Sequence, residues 1–159
     1  MESTPGVVPR SAERWCAQVA EGVVRIRTDG ASRGNPGPAG IGIVVEGSDG
    51  ATLAEIAEYI DRQTNNVAEY TALVRGLTRA LELGATSVDV FSDSELMVRQ
   101  VEGRYEVKND VLRTYAQQVR DLRRRFSAFH IQHVPRSQNR RADALANLAI
   151  DRAQGNGQR

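Results

Sequence analysis

The sequence predicts an α/β domain: a mixed five-stranded sheet, three antiparallel strands followed by two parallel ones, flanked by helices. Two patterns carry that prediction. Residues 23 to 60 hold three extended segments joined by short turns, the layout of an antiparallel meander. From residue 64 onward, stretches with helical spacing alternate with short apolar runs, so the later strands are reached by helical crossovers. A length of 159 residues suits one domain with its own core.

In VVRIRTD (23 to 29), Val24, Ile26 and Thr28 alternate with Arg25 and Arg27, the period of a half-buried strand, and Asp29 closes it. The glycine-rich GASRGNPG follows, and GIGIVVEG (40 to 47) is the second strand. SDG (48 to 50) signals a tight turn, and ATLAEIAEYI (51 to 60) reads as the third strand. In TNNVAEYTALVRGLTRALELGA, Val67, Tyr70, Val74, Leu77 and Leu81 repeat with helical spacing. Asn65 or Asn66 is placed to cap the start of this helix and Gly84 to end it. SVDVFSD (87 to 93) is a short buried strand, and SELMVRQVEG (94 to 103) a short helix stopped by Gly103. NDVLRTYAQQVRDLRRRF (109 to 126) is a longer helix with Val111, Tyr115, Val119, Leu122 and Phe126 on one face. SAFHIQHV (127 to 134) is the fifth strand, and NRRADALANLAIDRA (139 to 153) the last helix. The order is β-β-β-α-β-α-α-β-α.

Residues 1 to 22 read as an N-terminal extension: Pro5, Gly6 and Pro9, then a short helix, SAERWCAQVAEG, with the only tryptophan, Trp15. Residues 153 to 159, AQGNGQR, are expected to be disordered, leaving a body from 23 to 152. Hydrophobic residues make up 40% and charged residues 26%, a globular profile. Net charge is +1, so any binding of a polyanion must come from local clusters rather than bulk charge. No apolar run approaches the ~20 residues that span a bilayer, and the start lacks the pattern of a secretory signal. One cysteine, Cys16, excludes an intrachain disulfide and a cysteine zinc cage, and a reducing cytoplasm is expected.

Four acids occupy equivalent places in this layout. Asp29 and Asp93 end the first and fourth strands; Glu69 and Asp143 lie in the first turns of the first long helix and the last one. Singly, such an Asp is ordinarily a turn former and such a Glu complements a helix dipole. If strands one and four are parallel neighbours, however, all four reach one edge of the sheet, outside the carboxyl ends of strands. Converging carboxylates repel. A hard divalent cation relieves that repulsion, and Mg²⁺ takes oxygen ligands. Four carboxylates suit two ions about 3.5–4 Å apart, a clamp for the attacking and leaving oxygens of a phosphodiester. No Ser-His-Asp or Cys-His set competes, since the only histidines are His130 and His133.

TDGASRGNPGPAG, TNNVAEYTAL, SDSELMV and HVPRSQNRRADALAN together resemble ribonuclease H of type 1, four blocks in order across residues 23 to 150. The resemblance implies a ribonuclease H-like fold and a catalytic domain at 23 to 152. It implies an endoribonuclease that hydrolyses the RNA strand of RNA/DNA hybrids, leaving 5′-phosphate and 3′-hydroxyl ends, with two Mg²⁺ or Mn²⁺ ions per site. The family's catalytic and metal-binding acids match Asp29, Glu69, Asp93 and Asp143. By that likeness Asp29 bridges both ions, Glu69 and Asp93 hold the ion on the leaving-group side, and Asp143 helps hold the ion that activates water. Substrate contacts fall on Gly30, where small residues admit backbone to the hybrid's minor groove, and on Asn35, Asn65 and Asn66. Arg62 and Thr64 fall where the family grips a phosphate of the DNA strand. A hybrid partner, no membrane and a monomeric state are expected.

Three departures stand out. The VPRSQN loop is short and lacks the histidine many relatives carry there; His133 lies before it in the strand, and Arg136 is expected to take part of the loop's role. EGRYEVKND is too short for a basic, tryptophan-bearing protrusion. Glu95 replaces a familiar glutamine at a minor-groove contact. This resembles the short-loop branch of the family. Backbone binding then falls to Arg136, Arg140 and Arg141 beside Asp143, or to Arg120, Arg123, Arg124 and Arg125, which equally suit the helix dipole. The alternatives are a catalytically weak hybrid- or duplex-RNA-binding module and a DNA-cutting nuclease on the same fold.

Overall fold

The strand β1 (Val23–Ser32) is central: it pairs antiparallel with β2 (Gly37–Gly47), and β2 pairs antiparallel with β3 (Thr52–Gln63). On its other side β1 runs parallel to β4 (Ser87–Ser92), and β4 parallel to β5 (Ala128–His133), giving the order β3-β2-β1-β4-β5. The helices are α1 (Asn65–Glu82), α2 (Glu95–Val101), α3 (Asp110–Arg123) and α4 (Arg140–Gln154). A 3₁₀ turn, Arg136–Gln138, joins β5 to α4. This is a computed structural model, and it describes residues 22 to 155; the expected helix around Trp15 lies outside them. Among the described residues no helix is long and apolar enough to cross a membrane.

One face of the sheet carries the main core. Val24 and Ile26 of β1, Ile41, Ile43 and Val45 of β2, and Val88 and Val90 of β4 bury their alternate side chains against Leu73 and Leu77 of α1. The opposite face of β1–β3 takes α4, through Ala142, Leu145, Ala146, Ala149 and Ile150. The approach is close because β2 offers no side chain there: a Cβ on Gly42 would lie 2.0 Å from the Ala142 carbonyl oxygen. Gly42→Ala is therefore expected to displace α4 and cost about 1–3 kcal/mol of stability, read by chemical unfolding.

Several element ends differ from expectation. β1 does not stop at Asp29: Gly30, Ala31 and Ser32 continue the ladder against Ile41, Gly40 and Ala39. β3 likewise runs on to Gln63, paired with Gly37. The cap of α1 is Thr64, whose hydroxyl accepts the Val67 N–H at 3.2 Å, not Asn65 or Asn66. Glu69 consequently sits in the second turn of α1, not the first. In α3 Val111 is exposed, and Leu112, Ala116 and Val119 form the buried stripe. Phe126 is buried, but lies beyond the end of the helix. α4 extends to Gln154, one residue past the expected end of the last helix.

Candidate active site

The acidic site begins with a register. The last parallel pair between β1 and β4 is Thr28 with Ser92, so Asp29 and Asp93 are the next residues on two neighbouring strands running the same way. Thr28 points into the core and strand alternation turns Asp29 to the other face, where it is 3% exposed. α1 supplies Glu69, whose Oε1 accepts the Gly30 N–H at 3.1 Å. One carboxylate oxygen from each of Asp29, Glu69 and Asp93 lies within 4.8 Å of the others.

Asp143, in the first turn of α4, stands outside that set of three but within hydrogen-bonding reach of Asp29. Its place is set by Asn139, which is fully buried and donates from Nδ2 to the Thr28 carbonyl oxygen at 2.8 Å. That bond pins the start of α4 to the strand residue preceding Asp29. In the sequence Asn139 reads only as the first residue of the last helix; it stands at the N-cap without a side-chain cap bond, and nothing local indicates the tie to Thr28. Arg136 also reaches the site, its Nε 3.6 Å from Asp93 Oδ2, while most of its side chain stays in solvent.

The electrostatics follow from crowding. Burial, then the charges of Glu69 and Asp93, push Asp29 up to about 10. Burial and Asp93 push Glu69 up to about 8, against the opposing pull of the Gly30 N–H and Arg136. Without a cation the site holds protons it would otherwise release. The donor set fits a hard divalent ion: all ligand atoms are oxygens, and Asp93 Oδ2 is buried with no hydrogen bond. The three oxygens all lie within 4.8 Å of one another, close enough to converge on one ion at metal–oxygen distances of roughly 2.0–2.6 Å.

Asn35, Arg62, Thr64 and Asn66 assemble elsewhere, lining an open groove of about 400 Å³ that also takes in Pro36, Gln63, Val67, Asn109, Val111 and Leu112. Two asparagines have structural duties: Asn35 Oδ1 accepts the Asn65 N–H at 3.0 Å, and Asn65 Oδ1 accepts the Ser32 N–H at 3.0 Å. Gly30 also has a structural reason, since a Cβ there would lie 2.2 Å from the Ala68 carbonyl carbon and 2.5 Å from the Glu69 nitrogen. Glu95 is ion-paired with Arg99 at 2.7 Å, which holds its carboxyl below the ordinary value. His133 is the last residue of β5, within the strand as expected.

A sheet in this order, with carboxylates gathered where β1 and β4 end and helices adding more, defines a ribonuclease H-like domain. The comparisons agree. Residues 27–149 match a family described as reverse transcriptase-like. The crystal structure of RNase H1 from Halobacterium salinarum superposes with a TM-score of 0.81 at 44% identity, covering 82% of this chain and 99% of that one. LC11-RNase H1, crystallised with an RNA/DNA hybrid, gives 0.80 at 44% identity, covering 83% and 99%. A bifunctional protein of Mycobacterium tuberculosis is 50% identical over 82% of this chain; the chain spans only 36% of that relative's length. The chain belongs to the ribonuclease H family, type 1.

Proposed function

We propose that the chain is a metal-dependent endoribonuclease that hydrolyses the RNA strand of RNA/DNA hybrids to 5′-phosphate and 3′-hydroxyl products, acting as a monomer of the short-loop branch. The observation that carries this reading is the approach of Asp29, Glu69 and Asp93 oxygens to within 4.8 Å, with Asp143 beside Asp29. A pure binding module would gain nothing from acids facing a polyanion. When bound, a pair of Mg²⁺ or Mn²⁺ ions would supply an acidified water and neutralise charge on the scissile phosphate. Asp29 would be shared between the two ions, Glu69 and Asp93 would serve one, and Asp143 the other. Arg136, held near Asp93 but largely free in solvent, is placed to meet a phosphate or the departing product.

The groove of Asn35, Arg62, Thr64 and Asn66 is the proposed seat of a DNA-strand phosphate, with Asn65, Gly30 and Glu95 along the minor groove between it and the acids. Several phosphate contacts imply affinity that falls steeply with salt. The test is cleavage of labelled RNA/DNA hybrid, duplex RNA and duplex DNA, each with Mg²⁺ or EDTA. Cutting of the hybrid's RNA alone, abolished by EDTA, is expected. Cutting of duplex DNA would redirect the assignment to a DNA nuclease, and binding without cutting to a binding module.

His133→Ala is expected to keep most activity, since the imidazole lies within β5 rather than in the loop before α4. A fall in kcat of two or more orders of magnitude, the scale of a lost general acid or base, would make it a proton carrier.

A further inference from the structure

Asn147 lies one helical turn beyond Asp143 on α4. Its Nδ2 donates to the Asp143 carbonyl oxygen at 3.0 Å and to the carboxylate Oδ1 at 3.3 Å. An amide carries an acceptor at one end and donors at the other, so which end faces the acid depends on a second contact. Arg33 makes it: Nη2 donates to Asn147 Oδ1 at 3.2 Å and to the Asn147 carbonyl at 3.4 Å. Nη1 of the same guanidinium is 2.7 Å from Asp151 Oδ1, a further turn along α4. A guanidinium only donates, so Asn147 must keep its oxygen toward Arg33 and its NH₂ toward Asp143.

Arg33 belongs to the turn between β1 and β2. That turn is itself held, by the Arg33 N–H to the Pro38 carbonyl at 2.8 Å and the Ser32 hydroxyl to the Gln63 carbonyl at 2.8 Å. We propose that Arg33 and Asn147 are positioning residues acting in series: Arg33 sets the orientation of the Asn147 amide, and Asn147 holds one Asp143 oxygen, presenting the carboxylate to the cation site beside Asp29. The inference rests on the acids forming a divalent-cation site. Asp143 stands outside the set of three oxygens that Asp29, Glu69 and Asp93 bring together, so its carboxylate is the one a neighbour must aim. Groups that orient metal-binding carboxylates commonly matter for affinity at the level of 10–100-fold.

Asn147→Ala is expected to raise the Mg²⁺ concentration for half-maximal hybrid cleavage about tenfold, to lower kcat at limiting Mg²⁺, and to leave KM for hybrid within about twofold. Without hybrid, the Mn²⁺ concentration that raises the melting temperature should shift upward by a similar factor. Arg33→Met, at a side chain 43% exposed, spares the fold and should move both curves the same way by a smaller factor. The double variant should match Asn147→Ala, because two residues in series do not add. Ion curves unchanged from wild type in both assays would overturn the proposal, as would additive effects in the double variant. A wild-type chain that cleaves no hybrid at any ion concentration would instead overturn the nuclease reading, leaving the Mn²⁺ melting curves to judge the relay.

Discussion

Asp29→Asn is expected to lower kcat by about three orders of magnitude or more while making the ion-free protein melt higher than wild type. Charge stabilisation by a bound ion is worth several kcal/mol, and each 1.36 kcal/mol is a factor of ten in rate. The stability half follows from the same carboxylates. Folding raises Asp29 from 3.8 to about 10 and Glu69 from 4.5 to about 8. A group raised in this way stabilises the fold below its unfolded pKa and loses that contribution as pH climbs through the folded value. The ion-free wild type should therefore weaken as pH rises from about 4 through about 10. Asparagine has no proton to lose and takes one charge from the cluster, so the slope flattens. At pH 8 with EDTA the variant should melt higher by roughly 3 °C or more. Saturating Mg²⁺ should raise the wild type and move the variant little. Calorimetric scans at pH 5 and 8, with Mg²⁺ and with EDTA, measure all four terms. A variant that melts below wild type at pH 8 without ions would remove carboxylate repulsion as a significant cost of this fold.

Gly30→Ala is the second large effect, expected to cost about 1–3 kcal/mol of stability and about 100-fold in kcat. The added carbon would stand 2.2 Å from the Ala68 carbonyl carbon, 2.4 Å from its oxygen and 2.5 Å from the Glu69 nitrogen. All three are backbone atoms within a helix, which cannot swing aside as a side-chain tip can. The start of α1 must shift, carrying Glu69 with it and breaking the Gly30 N–H to Glu69 Oε1 bond of 3.1 Å. A displacement near 1 Å is enough to cost about 100-fold in rate when groups must be held for reaction. Steady-state kinetics on hybrid together with chemical unfolding check both halves, and wild-type kcat in a destabilised variant would mean that α1 yields without moving Glu69.

These two residues mark where local reading works and where it stops. Asp29 is legible because it ends an alternating run before a glycine-rich segment, and its counterpart Asp93 ends another. Gly30 is legible as a glycine but not for its reason. The expected explanation, access of backbone to a nucleic-acid groove, faces a nearer one: the carbonyl of Ala68 on a helix that starts 35 residues later in the chain. Helix faces show the same limit. Val111 and Leu112 are adjacent and both apolar, and the spacing alone selects Val111; packing against α1 buries Leu112 instead.

Element order, strand alternation and the identity of the acids reside in the chain itself, because periods of two and 3.6 residues and the placing of glycine are properties of neighbours. The separations within the site reside elsewhere. Oxygens come within 4.8 Å because β1 and β4 run parallel in one register. Asn139 reaches a carbonyl 111 residues away, and Arg33 grips Asn147 across 114. Such contacts depend on how sheet and helices close upon each other, a many-body packing outcome that no short window of residues encodes.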